Sequence, residues 1–207
     1  MIYKGTIRER CKGSAYLIGY ADDFVCCFKH SEEAHKFYQD LIERLKEFNL
    51  ELAEDKSRII PFAKDSIDKL RPTTFDFLGF THYASKSKKG KFRVKRKTCR
   101  KKFTASLKHC KGWLRTNRNM EIKVIMEKLT TKLLGYYRYY GITDNTKPLV
   151  SFRTEVGKLL FKWLNRRSQK RSFDRNKFNL FLKRYPLPNP KIYLHIYDLS
   201  PNLSYLC

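Results

Sequence analysis

Two adjacent carboxylates, Asp22 and Asp23, stand between two short apolar runs, AYLIGY (residues 15–20) and FVCCF (residues 24–28). Strands disfavour Asp, and neighbouring like charges repel. The pair makes chemical sense where a cation is held. Mg²⁺ takes carboxylate oxygens and keeps water and phosphate as its other ligands. Two such ions about 3.5–4 Å apart can activate a 3′-hydroxyl and stabilise a leaving pyrophosphate. The bland alternative is a solvated Asp-Asp turn, and the apolar flanks weigh against it. Other chemistries have little footing. Cys11, Cys26, Cys27, Cys99, Cys110 and Cys207 form no CxxC pair, and Cys99, His109 and Cys110 fit no common zinc spacing. The five histidines are scattered and give hydrolase chemistry no foothold.

The elements that must position the pair follow from periodicity. Residues 15–28 read as a β-hairpin with the carboxylates at its tip. Residues 31–48 read as a helix, with Ser31 as N-cap and Glu32 and Glu33 in the first turn. Ala34, Phe37, Tyr38, Leu41, Ile42, Leu45 and Phe48 recur at helical spacing, and Asn49 is a fair stop. Leu50–Leu52 and Ser57–Phe62 read as short strands around a polar turn, and residues 74–83 as strand with Gly79 inside. A compact α+β unit ending near residue 84 is expected.

Composition then changes sharply. Residues 1–80 hold 13 basic and 14 acidic side chains, a net of −1, whereas residues 81–207 hold 32 and 6, a net of +26. Between Lys86 and Arg118 there are 15 Lys and Arg and no acid. With 42% hydrophobic and 14% aromatic residues the chain is no disordered basic tail. No stretch approaches the ~20 apolar residues of a membrane span, no apolar leader opens the chain, and a cytoplasmic protein with free thiols is expected. A charge so one-sided calls for a polyanion, with nucleic acid ahead of a membrane surface. Gly90 should turn a basic hairpin, 86–97. Helical faces follow: Phe103, Leu107, Cys110 and Leu114; Ile122, Ile125, Leu129 and Leu133; Leu149, Phe152, Val156, Leu159, Leu160, Trp163 and Leu164. A short helix over 176–185 and an extended 191–199 complete the pattern. Phe92, Trp113, Tyr136, Tyr137, Tyr139 and Tyr140 interleave with cations and could stack on bases. Spacing makes Tyr137, Tyr140 and Trp163 core residues instead. Candidate phosphate contacts are Lys95, Arg96, Lys97, Arg100, Lys101, Lys102, Arg138, Arg166, Arg167, Lys170 and Arg171.

Tyr20-Ala21-Asp22-Asp23 followed by Phe24 resembles the YADD motif of reverse transcriptases. LELAEDKSRII (residues 50–60) resembles the next block of that family, with Lys56 at its basic position. Phe75-Asp76-Phe77-Leu78-Gly79-Phe80 resembles the block that forms the primer-grip hairpin. GYYRYY (residues 135–140), WLNRR (163–167) and YPLP (185–188) resemble the maturase domain, or thumb, of bacterial group II intron-encoded proteins. The resemblance implies an α+β fold. Part of a palm, an antiparallel sheet plus helix, would fill residues 1–84. A helical thumb or maturase domain would follow over 85–185, and a Pro-rich tail over 186–207. It implies an RNA-directed DNA polymerase and splicing maturase. Asp22 and Asp23 would hold Mg²⁺ on the hairpin of Tyr20 and Ala21. Phe77, Leu78, Gly79 and Phe80 would grip the primer, and Lys56 would reach nucleotide phosphates or be a plain surface lysine. Implied partners are group II intron RNA, an RNA template–DNA primer duplex and dNTP.

Two departures stand out. Gly19 replaces the basic residue common before YADD. Before Asp22 the only acid is Glu9, so the third metal-binding carboxylate, the fingers and the first half of the palm are expected from elsewhere, in a longer frame or a separate chain. The chain alone is expected not to polymerise. The alternative is a non-polymerising maturase remnant that binds intron RNA. A retron-type or CRISPR-associated enzyme fits the maturase-like segments less well, and no Cys/His-rich endonuclease segment follows residue 190.

Overall fold

The computed structural model describes residues 11–63, 73–87, 89–169 and 172–198. Among them the fold is α+β, with two antiparallel sheets and five α-helices. Strands β1 (Ala15–Tyr20) and β2 (Asp23–Phe28) pair in register from Ala15↔Phe28 to Tyr20↔Asp23. Only Ala21 and Asp22 remain for the loop. The side-chain period of two splits the hairpin into faces. Ala15, Leu17, Cys26 and Phe28 face helix α1 (Ser31–Glu47), where the Phe28 and Phe37 rings lie 5.3 Å apart. Tyr16, Ile18 and Tyr20 take the other face and are exposed.

Helix α1 begins one residue earlier than expected. His30 is the N-cap in extended backbone, and Ser31 is already helical, so its side chain caps nothing. Asn49 does stop the helix. At φ +54° its N–H donates to the Lys46 carbonyl, and that of Leu50 donates to Leu45. This paired closure after a left-handed residue is the Schellman motif, which Asn tolerates. The strands expected at Leu50–Leu52 and Ser57–Phe62 do not form. The segment is irregular, with a turn closed by the Lys56 and Ser57 N–H groups on the Ala53 carbonyl. Alternating apolar residues make a strand only where a ladder partner takes their backbone groups, and none of the described strands pairs there.

The run over 74–83 is two strands, not one. Strands β3 (Thr74–Phe77) and β4 (Phe80–Lys86) flank Leu78 and Gly79, both at positive φ, as a two-residue type I′ loop requires. Strand β5 (Phe92–Thr98) completes the sheet in the order β3-β4-β5, and Gly90, at φ +73°, lies in the turn before it.

Helices α2 (Arg100–Asn117), α3 (Ile122–Tyr140), α4 (Thr146–Leu164) and α5 (Arg175–Arg184) follow. The expected faces become the core: Cys110 and Leu114 from α2, Ile125, Leu129, Leu133, Tyr137 and Tyr140 from α3, and Leu149 to Leu164 from α4. Asp174 caps α5 by accepting from the Lys177 N–H at 2.8 Å. The α3–α4 junction is tied by buried Asn145. Its Oδ1 accepts from the Thr98 N–H, and its Nδ2 donates to Thr98 Oγ1 and to the Tyr140 carbonyl, each at 2.8 Å. Residues 191–198, expected to be extended, make one parallel bridge, Ile142↔Leu194, and then a 3₁₀ turn at Ile196–Asp198.

The chain divides into two compact units. The first holds the described residues up to Leu78 with His82–Lys95, and the second holds Gly79–Thr81 with Arg96 onward.

Candidate functional site

The hairpin tip is built by geometry rather than by burial. A two-residue loop must reverse the chain within Ala21 and Asp22, and it does so with Ala21 at φ +50°. A non-glycine residue in that region is held at a cost of roughly 1–3 kcal/mol, a strain common at functional turns. The result is that Asp22 and Asp23 stand next to each other at the end of a paired ladder, both exposed. Tyr20, at 67% exposure, pairs across from Asp23. Gly19 is not demanded by space, since a Cβ there would meet nothing closer than 3.8 Å.

Two carboxylates are hard oxygen donors and suit Mg²⁺. Among the described residues, no cluster of three or more His, Cys, Asp or Glu side chains could hold a metal. The donor set at the tip is a pair and lacks a third member. Cys26 pairs with Leu17 along the ladder, away from the tip, and burial first, then Cys27 beside it, push its thiol up to about 12.

Strand β2, which begins at Asp23, lies beside β3, which ends at Phe77. Both strands belong to the first unit. Gly79 and Phe80 belong to the second unit. There the Phe80 ring is buried against Tyr140 at 5.3 Å and stacks with Tyr139 at 6.1 Å. The Gly79 carbonyl accepts from the Cys99 N–H at 2.9 Å, and a Cβ at Gly79 would lie 3.1 Å from the Tyr140 hydroxyl. Lys56 sits exposed on its turn.

The cations sort into distinct environments. Arg100, Lys101 and Lys102 are exposed in the first turn of α2, with no acid among them. Helix dipoles disfavour cations at an N-terminus, so this turn is one that an external anion would relieve. Lys97 and Arg138 are exposed, whereas Lys95 and Arg96 are half-buried, and Arg96 Nε is buried without a hydrogen-bond partner. Arg166 is exposed, with its guanidinium 5.5 Å over the Trp163 ring. Arg167 is committed internally: its Nε donates to the Arg118 carbonyl and an Nη to that of Met120. Lys170 and Arg171 lie outside the described residues. Among the rings, Tyr137, Tyr140 and Trp163 are buried as expected, while Tyr139 and Phe92 are exposed. Tyr136 stacks on Phe152 at 3.7 Å.

Periodicity missed Asn145, Arg118 and Arg153. Arg153 donates to the Leu187 and Pro188 carbonyls and so binds the proline-rich tail to α4. A lone Arg within an apolar helical stripe was the available signal.

Residues 3–82 match the reverse transcriptase (RNA-dependent DNA polymerase) family model. The matched segment takes in the Asp22-Asp23 tip and the Phe77–Phe80 hairpin, and it covers less than half of the 207 residues. No curated protein matches the chain. The reverse-transcriptase-like segment thus ends inside β4, and α2 to α5 lie beyond it. No helix among the described residues is long and apolar enough to cross a membrane.

Proposed function

We propose that this chain is part of an RNA-directed DNA polymerase and splicing maturase of a group II intron. The observation that carries the reading is the Tyr20–Asp23 tip: two adjacent exposed carboxylates on a strained two-residue hairpin, inside a segment similar to reverse transcriptases. Asp22 and Asp23 would hold Mg²⁺, which when bound stabilises charge on a transferring nucleotidyl phosphate. The residues present supply two ligands, and the third carboxylate would come from fingers-and-palm polypeptide in the same frame or a separate chain. Phe77 to Phe80 would position the primer end, and Lys56 would contact phosphate. The helical unit would act as thumb and maturase domain, with Arg100, Lys101, Lys102, Arg138 and Arg166 on RNA phosphates.

Primer extension with Mg²⁺ tests the enzymatic half. The chain alone should give no product, and extension that Asp22→Ala abolishes would overturn the incomplete-site reading. A second reading, an intron-RNA-binding remnant without polymerisation, is favoured by a helical unit with its own core. Both readings require RNA binding with steep salt dependence. Each phosphate contact contributes about 0.7–0.9 to the slope of log K against log salt. Joint replacement of Arg100, Lys101 and Lys102 by Ala should lower that slope by about 2–3. An unchanged slope removes this turn from the interface.

A further inference from the structure

An open groove of about 570 Å³ lies in the helical unit, within the ~300–1,000 Å³ range of small-ligand sites. Ala105, His109 and Cys110 line it from α2, Lys132 and Tyr136 from α3, and Phe152 from α4. Its lining is mostly apolar, and the Tyr136 and Phe152 rings are stacked within 11° of parallel. Burial pushes the Cys110 thiol up to about 11, so this wall is neutral and unreactive. The surroundings are cationic. Helix α2 carries six Lys and Arg and no acid, and the Lys132 ammonium lies 5.2 Å from the Trp113 ring centroid.

An apolar groove beside six cations on a helix without an acid narrows the occupant. An apolar peptide side chain or an acyl chain would fill the groove and leave α2 without counter-charge. A single-stranded polynucleotide offers both parts in each residue, a flat base with a π-face and a phosphate one backbone unit away. We propose that the groove takes one unpaired nucleobase of a bound RNA strand, whose flanking phosphates rest on the α2 cations and Lys132. This deepens the RNA-binding reading and rests on it.

The test compares a short oligoadenylate with an abasic oligomer of equal length and charge, using the full chain at fixed salt. Stacking of one base is worth about 1–3 kcal/mol, so the oligoadenylate should bind roughly five- to 150-fold more tightly. Ala105→Phe fills the groove from its solvent side. It should reduce oligoadenylate affinity to the abasic level while leaving abasic affinity and salt slope unchanged. If Ala105→Phe does not melt as wild type does, Ser106→Phe serves in its place. Equal affinity for the two oligomers overturns the base site and leaves phosphate binding standing. So does a folded groove-filling variant that still prefers oligoadenylate. Failure of both oligomers to bind at low salt overturns the RNA-binding reading and this site with it.

Discussion

The two units are held together by different means. In the helical unit a continuous set of side chains is fully removed from water, among them Leu129, Tyr137, Leu149, Val156 and Leu160, each at 0% exposure. In the first unit the fully buried apolar residues among those described are Ala15 and Ala84, and α1 buries none completely. The hairpin there leaves Tyr16, Ile18 and Tyr20 open on one face. A two-stranded hairpin is marginal on its own in water. The second unit therefore has what an independently folded domain needs. The first, among the described residues, has a hairpin and a helix with little fully buried apolar surface. The proposed chemistry divides in the same way, with acids on the open unit and cations on the closed one.

The largest effect should come from the hairpin tip in an assembly that polymerises. A metal ligand contributes several kcal/mol of transition-state stabilisation, and each 1.36 kcal/mol is a factor of ten. Asp22→Ala or Asp23→Ala, in a complex that supplies the third carboxylate, should slow nucleotide addition by about a thousandfold. RNA affinity, which the proposal assigns to the other unit, should not change. If either substitution weakens RNA binding to the same extent, the division of labour between the units is wrong.

Stability sharpens the contrast next. Leu129→Ala removes a side chain from the centre of the helical core and should cost about 2–5 kcal/mol. Leu41→Ala on α1 removes one that is only half-buried, and should cost about 1 kcal/mol. Urea titration followed by helix ellipticity separates them, and amide exchange should show α1 opening well below the free energy that opens α3. Equal costs in a single transition would mean that the first unit shares the core of the second.

The same contrast explains what the sequence disclosed. Helical stripes such as Leu149, Phe152, Val156 and Leu160 were legible because their periodicity and their burial have one cause, a face packed on a core. The Asp22-Asp23 tip was legible because two acids between apolar strands contradict strand chemistry. The expected strands at Leu50–Leu52 and Ser57–Phe62 failed because a strand's partner is not written in its own residues. The break at Leu78-Gly79 was half-visible: Gly invites positive φ, but nothing local shows that Leu78 joins it at φ +48°. Asn145 was invisible because its worth lies in groups 47 residues away in the chain.

Asn145 gives a smaller, sharper prediction. Asn145→Ala would leave the buried Thr98 N–H without its acceptor and the Tyr140 carbonyl with the Ile142 N–H as its remaining donor. Unsatisfied buried groups cost about 1–3 kcal/mol, so thermal unfolding of the helical unit should shift down while α1 exchange stays as it was. Asn145→Asp keeps the acceptor for Thr98 and loses the donor, so it should recover part of the loss at most.

The smallest effect is confined to alkaline pH. Burial raises the Tyr137 phenol from 10.0 to about 12, against a lowering by Arg153, and its hydroxyl donates to the Pro188 carbonyl at 3.3 Å. The unfolded chain releases this proton first. As pH rises, the folded state comes to bind more protons than the unfolded one, and stability falls. The contribution is whole below the ordinary value of 10.0 and is lost as pH climbs through about 12. Tyr137→Phe removes the proton altogether. Near neutral pH it should cost about 1 kcal/mol for the missing hydrogen bond. Across the alkaline window the variant should lose stability less steeply than wild type. Lysine deprotonation acts on both proteins alike and drops out of their difference. A wild-type curve that runs parallel to the Phe variant over that window would show that the phenol is not shielded, and that the helical core is more open at Tyr137 than its full burial states.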